Sequence, residues 1–398
     1  MKPIPAVPMP LTLGDLSRAC RTPDARRRLE HRIAEYHGAR AAFGVSSGRA
    51  ALWLTLRALH ALTPERNLVI LPAYTCPTVG RSVIEAGLRG LCVDVSLDTF
   101  NIDPAQVAGA MTERVLAVVA PHMFGVPCDV ATLSSICREH SAFLIEDCAQ
   151  CVGGKWAGEP VGTFGDVAFL SMGRSKNLRG YEGGLLWTER EDLIEPLREE
   201  FERLPDARSG AREKLRQAAI TVLSRPWPWA MAKRLPGLRV GAEDQSFDAH
   251  PSRLADWQAG LGLISLVRVD EYNQRRRQVG AAMREALGEV EGLCCQMVPP
   301  EAEATYLRFA TRLTDGDAER RDALVMRLQA ANIDARRFYT RTMGEYGWME
   351  GGAGAVQRDD AAKAVVRSNT VVPVPHSMGG SAITRFITQI RDAWRCES

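Results

Sequence analysis

Two residues near the middle of the chain have the types, order and spacing for covalent chemistry on a carbonyl. Asp147 closes the apolar run AFLIE, and Lys176 follows 29 residues later, after a second apolar run, VAFLS. A carboxylate at the end of a buried strand can keep a pyridine nitrogen protonated. A lysine in a loop leaving a buried strand can keep its amine free, because burial or a neighbouring cation disfavours the ammonium. Gly173, Gly180, Gly183 and Gly184 let the backbone approach a planar ligand closely. Ser171, five residues before Lys176, can donate its hydroxyl to a phosphate oxygen. Alone, such an Asp is more often a cap or turn residue, and such a Lys is usually solvated. The order and spacing of the set carry the reading.

These residues need a scaffold that brings several strand ends together. Around them the sequence alternates AAFGV, SSGRAALWLTLRALHAL, NLVILPA, TVGRSVIEAGL, GLCVDVS, PAQVAGAM, VLAVVAPHMFG, ATLSSICREHS and AFLIEDCAQ. Apolar strands alternating with helices predict an α/β fold with a mainly parallel sheet covered on both faces. Ligands then bind at the carboxyl ends of the strands. Residues 1–24 read as a Pro-rich lead-in, followed by a helix from Asp24 to about Gly38. A stretch near 190–245 is rich in Arg, Leu and Ala and reads as a helical insertion. Within it Trp227 and Trp229 flank Pro228. Basic flanks around Trp can mark an interfacial helix, but Pro226 and Pro228 would break it, which favours packing on the body. From Ala259 a helical pattern runs to Leu287. The expected organisation is a large domain over 1–260 and a small C-terminal α+β domain over 261–398.

Composition narrows the class. A chain of 398 residues, 45% hydrophobic and 25% charged, can bury a large core and is normal for a globular protein. Fifty basic against 48 acidic residues give +2, which makes no electrostatic case for nucleic acid. Cys148 and Cys151 form a CxxC spacing, but adjacent Cys294 and Cys295 do not supply the second ligand pair of a zinc site, so no metal is expected. The N-terminus lacks the apolar core of a signal peptide, and no stretch reaches the ~20 apolar residues that span a bilayer. The expectation is a cytoplasmic protein without membrane contact.

With these residues in view, the chain resembles the DegT/DnrJ/EryC1/StrS aminotransferases, sugar aminotransferases of pyridoxal-phosphate (PLP) fold type I. The resemblance rests on Asp147-Cys148-Ala149-Gln150, on Ser171 to Asn177 with Lys176 inside it, and on Glu182-Gly183-Gly184. Upstream it includes Ser47-Gly48-Arg49-Ala50-Ala51-Leu52, Pro72-Ala73-Tyr74-Thr75, Asp94 to Asp103, and His122, Phe124, Gly125 and Asp129. Downstream it thins to Arg253-Leu254, Gln258-Ala259 and the segment Ile333 to Tyr339. It implies fold type I with a seven-stranded type of central sheet, PLP or its aminated form as cofactor, and a homodimer. It implies that Lys176 carries the cofactor, Asp147 pairs with the ring nitrogen, and Gln150 sits beside the phenolic oxygen. Ser171 and the turn Ser47-Gly48-Arg49 would hold the phosphate, where a helix N-terminus favours an anion.

The departures from the family pattern are specific. Arg49 replaces a threonine and can exchange one hydroxyl contact for bidentate ones. Cys76 replaces an aromatic residue that stacks on the ring, which leaves Tyr74 as a stacking candidate. Pro251 stands where an asparagine would reach the neighbouring subunit's cofactor. The implied reaction moves an amine from an amino-acid donor, glutamate by family analogy, to a keto-sugar nucleotide, with Lys176 as general acid and base. Arg174, Arg179, Arg336 and Arg337 are candidates for diphosphate or carboxylate, with His122 as a pocket wall and Tyr339 as a further substrate candidate. Cys128 and His376 have the structural reading. Three alternatives stand beside this one. A dehydratase branch of the family has His at the lysine position, which Lys176 argues against. A natural-product enzyme could act on a non-sugar substrate. A PLP-binding protein could share the fold without catalysis.

Overall fold

The computed structural model describes residues 9–207, 214–215, 218–219, 221, 251–349, 354–375 and 378–395. Among the described residues the first elements are α1 (Leu13–Cys20) and α2 (Ala25–His37). The alternation then follows as β1 (Ala41–Val45), α3 (Gly48–Leu62), β2 (Leu68–Pro72), α4 (Pro77–Glu85), β3 (Arg89–Val93), α5 (Pro104–Ala110), β4 (Val115–Pro121), α6 (Val130–Glu139) and β5 (Phe143–Asp147). Local chemistry sets these boundaries. Ser47, Asp103 and Asp129 cap α3, α5 and α6 by accepting backbone N–H bonds from Ala50, Ala105 and Thr132. Pro77 and Pro104 occupy first-turn positions, where a missing N–H costs nothing.

A small hairpin, β6 (Lys155–Trp156) and β7 (Glu159–Pro160), precedes β8 (Val167–Ser171) and β9 (Gly184–Thr188). The eight-stranded central sheet has the order β1-β9-β8-β5-β4-β2-β3-β13, where β13 is Gly354–Val356. Only β9 runs against its neighbours. β8 is parallel to β5, β5 to β4, β4 to β2, β2 to β3, and β3 to β13. The sheet thus contains the mainly parallel arrangement expected, with one short C-terminal strand added at an edge. All seven residues of β4 are buried, as a central strand covered on both faces requires.

Helix α7 (Glu191–Glu202) follows β9, and a 33-residue helix, α8 (Asp256–Gly288), leads to the C-terminal part. There β10 (Leu293–Cys295), β12 (Phe309–Leu313) and β14 (Asn369–Val372) form a three-stranded sheet, while β11 (Ala302–Glu303) pairs with β6. Helices Ala318–Ala330 and Gly380–Arg395 contribute Leu324, Leu328, Phe386 and Trp394 to a second apolar core, with Met283 and Leu287 of α8.

Two expectations change. The lead-in over 1–24 contains α1, whose Thr12 and Asp15 form a reciprocal capping box. Four prolines precede Thr12 and Pro23 follows Cys20, so none falls within the helix. The expected boundary at 260 falls inside α8, and β13 returns to the large sheet. Trp227, Trp229 and His376 lie outside the described residues. Among the described residues no helix is long and apolar enough to cross a membrane.

Candidate active site

Because the strands around the centre are parallel, their carboxyl ends open on one edge of the sheet. β1 leads to Ser47, β2 to Tyr74, β4 to His122, β5 ends at Asp147, and β8 ends at Ser171 before the loop that carries Lys176. The register pairs Pro121 with Asp147 and Asp147 with Phe169, so Asp147 sits between the ends of β4 and β8.

Asp147 is 8% exposed. Its Oδ1 accepts the Ala149 N–H at 2.9 Å, and among the described residues no hydrogen bond reaches Oδ2. Burial pushes this carboxyl above the ordinary carboxylate range, and the Lys176 charge and the Ala149 N–H oppose that shift without cancelling it. Lys176 is half-buried in a tight turn, its N–H donating to the Gly173 carbonyl at 3.2 Å. The turn is anchored from behind. Asn177 is fully buried beside Asn273 of α8, and its amide, oriented to suit its neighbours, donates to the Gln150 carbonyl at 2.9 Å. Asn273 also accepts from Arg276 at 2.6 Å.

Ser171 lies against the first turn of α3. A Cβ on Gly48 would stand 2.9 Å from the Ser171 Cβ, so glycine is what lets the two segments meet. Ser47 is bridged to Gly183, and a Cβ on Gly184 would strike the Ser47 backbone at 2.5 Å. The Ser-Gly-Arg turn and the Gly-Gly pair are therefore one packed unit. Gln150 is fixed at both ends of its amide: Oε1 accepts the Phe124 N–H at 3.2 Å, and Nε2 donates to the Tyr339 hydroxyl at 3.2 Å.

Several expected ligand contacts are turned elsewhere. Tyr74 is wholly buried, its hydroxyl donates to the Phe338 carbonyl at 2.9 Å, and its ring packs edge-on against Tyr339. It is a core residue and not an open stacking face. Cys76 is partly buried at the start of α4, with Sγ 3.0 Å from the Thr78 hydroxyl. His122 is 1% exposed and faces Glu146, so it lines no open wall. Arg179 is 2% exposed, donates to the Met9 carbonyl and lies over the Tyr181 ring, so it meets no soluble substrate. Arg336 is paired with Asp334 at 3.0 Å and Arg337 with Asp322 at 3.4 Å. Arg174 is exposed in the lysine turn. Tyr339 is buried at the site through Gln150.

Two features escaped the sequence reading. Phe124 and Phe338 join Tyr74 and Tyr339 in an aromatic cluster beneath Gln150, which no local pattern announces. Glu146 is a fully buried carboxylate, and the sign of it was an acidic residue one place before the end of an apolar strand.

The fold and the strand-end constellation define an aminotransferase-type α/β protein. The chain belongs to the DegT/DnrJ/EryC1/StrS aminotransferase family, whose sequence profile matches residues 17–391. It is 29% identical over 327 residues to a dTDP-4-dehydro-2,6-dideoxy-D-glucose 3-dehydratase of Saccharopolyspora spinosa, covering 79% of this chain and 68% of that one. It is 30% identical over 302 residues to an L-glutamine:2-deoxy-scyllo-inosose aminotransferase of Streptomyces fradiae, covering 75% of this chain and 65% of that one. The fold matches the crystal structure of the aminotransferase TlmJ from Streptoalloteichus hindustanus with a TM-score of 0.78, at 23% identity and full coverage of both chains.

Proposed function

We propose that this protein is a PLP-dependent aminotransferase that takes an amine from an amino acid, glutamate first among candidates, and gives it to a keto-sugar nucleotide. The observation that carries the reading is the pair of Lys176 and Asp147 at one sheet edge, with Asp147 buried, raised in pKa and open at Oδ2. Such a carboxylate is suited to a cationic ring nitrogen.

Three features of the site fit the cofactor. Asp147 offers the ring-nitrogen partner, and Lys176 the amine that holds the aldehyde. The first turn of α3 with Ser47, Gly48, Arg49 and Ser171 offers a phosphate cup of the kind helix N-termini make. When bound, PLP supplies an electron sink for charge that develops on the donor's α-carbon. The protein's part is to hold and move protons. Asp147 keeps a proton on the ring nitrogen. Lys176 Nζ takes the proton from the donor's Cα and returns one to the acceptor's carbon. Gln150, fixed by Phe124 and Tyr339, holds its place beside the ring. The buried lining of Tyr74, Phe124 and Tyr339 keeps water from below the site.

A nucleotide-sugar substrate agrees with the one named for the Saccharopolyspora spinosa relative. Lys176 favours transamination over dehydration. A twofold homodimer is proposed with this reading, and Pro251 rules out an asparagine-like contact to the partner's cofactor at that position.

The test is the absorption spectrum of PLP-loaded wild type and Lys176→Ala, with and without glutamate. A visible band that glutamate bleaches in the wild type and not in the variant supports the reading. A PLP-loaded wild type that no amino donor changes overturns transamination.

A further inference from the structure

Glu146 and Asp147 are consecutive at the end of β5, and the pleat of a strand sends neighbouring side chains to opposite faces. Both are buried, at 0% and 8% exposure. Two ionised carboxylates so close would each disfavour the other's charge. The surroundings divide them. Glu146 Oε1 accepts the N–H groups of Phe164 and Gly165, each at 2.7 Å. Its Oε2 accepts the Gly162 N–H at 2.8 Å and lies 3.3 Å from His122 Nε2. Burial alone would raise the Glu146 carboxyl, but His122 and these N–H groups outweigh it and hold it below the ordinary range. Asp147 has one N–H donor and moves the other way.

The tautomer of His122 follows from its contacts. Nδ1 accepts the Cys128 N–H at 3.1 Å, so its lone pair is there and the ring proton is on Nε2, facing Glu146. The His122 main-chain N–H donates to the Asp147 carbonyl at 3.2 Å. One residue therefore touches both members of the acidic pair, by side chain on one and by backbone on the other.

We propose that His122 and Glu146 are a positioning pair for Asp147: they absorb the neighbouring charge inside the protein and leave Asp147 as the carboxylate that faces the cofactor's ring nitrogen. This rests on the role given to Asp147 above. Neither residue of the pair touches substrate, and both act through Asp147. Glu146 also ties the turn 162–165, which leads into β8, to the end of β5, so the same contacts fix the strand that delivers Lys176.

The experiment loads the protein with PLP labelled at the ring nitrogen with ¹⁵N and reads that nitrogen's chemical shift in wild type, His122→Asn and His122→Gln. Asparagine can keep the Cys128 bond at the Nδ1 position but is too short to reach Glu146. Glutamine reaches it. The expected result is a protonated ring nitrogen in wild type and a shift toward the unprotonated form in H122N, with recovery in H122Q. A one-unit fall in that pKa changes the protonated fraction by up to about tenfold. In H122N kcat should fall accordingly, with the donor's KM and the bound PLP unchanged. A ring nitrogen that stays protonated in H122N overturns the proposal, as does equal loss in both variants. Cys148 Sγ, His122 and Glu146 lie within 4.8 Å of one another. One equivalent of zinc per chain in the wild type, lost in H122N, would put an ion where the proposal puts a proton and overturn it. A ring nitrogen whose shift is the same in Asp147→Asn as in the wild type would instead overturn the role of Asp147, whatever the His122 variants do.

Discussion

Gln150 and Tyr339, 189 residues apart, share a buried hydrogen bond of 3.2 Å. It joins the turn after β5 to a segment of the C-terminal part, so the floor of the site is complete only when both are folded. Tyr339 holds a left-handed backbone at φ 49°, which a tyrosine adopts only where surrounding packing compels it. Tyr339→Phe removes the acceptor and leaves a buried amide N–H unsatisfied, at a cost of about 1–3 kcal/mol. Denaturant unfolding of the two proteins should show that loss with the slope unchanged.

Lys176→Ala removes the group assigned to proton transfer, a contribution of about 10²–10⁴ in rate. Single-turnover conversion of the loaded cofactor by glutamate should slow by at least that factor, with the circular dichroism spectrum in the far ultraviolet unchanged. A smaller loss would mean that another residue carries the proton.

Asp147→Asn keeps the shape and removes the charge. Electrostatic groups of this kind contribute about 10²–10³ in kcat. A loss of that size at constant donor KM is expected in steady-state kinetics, because the charge matters most as the reaction proceeds.

Gly48→Ala drives a methyl group to 2.9 Å from the Ser171 Cβ. The first turn of α3 must then move away from Ser171 and open the proposed phosphate cup. PLP affinity, followed by fluorescence titration, should weaken by about tenfold, the equivalent of 1.4 kcal/mol. The helix itself should persist, since alanine is a better helix former than glycine.

His37 is buried against Trp187, ring centroids 4.2 Å apart. Burial lowers its pKa from 6.5 to about 4. Unfolded chains take up a proton below pH 6.5 and the folded one does not until about pH 4, so stability falls as pH drops through this window. The shift corresponds to about 3 kcal/mol. His37→Phe should gain on the wild type by about that amount between pH 7.5 and 4 in urea unfolding, and a constant gap would refute it.

Much of the candidate site could be proposed from the sequence because its residues are written locally. Asp147, Ser171 and Lys176 each sit at or just after an apolar run, and parallel strands bring such ends together. The α/β alternation was legible for the same reason. What the sequence hid depends on distant partners. Tyr74 is taken out of play by the carbonyl of Phe338, 264 residues away. Arg179 is spent on Met9, 170 residues away. His122 looks like a loop histidine until the turn 162–165 folds back to hold its partner Glu146. Helix α1 had a local signature in Thr12 and Asp15, masked by the prolines before it.

The uninterrupted course of α8 has a mechanical consequence. At 1.5 Å per residue its 33 residues extend about 50 Å, with no proline to bend it. Near its start Gly260 lies against the Ala19 backbone, midway Asn273 supports the lysine turn, and Gly280 lies against the Tyr306 ring. A rod seated at three points cannot act as a hinge where the sequence seemed to change domains. Any tilt of the C-terminal part is transmitted along it as by a lever, with the turn that carries Lys176 resting on the shaft.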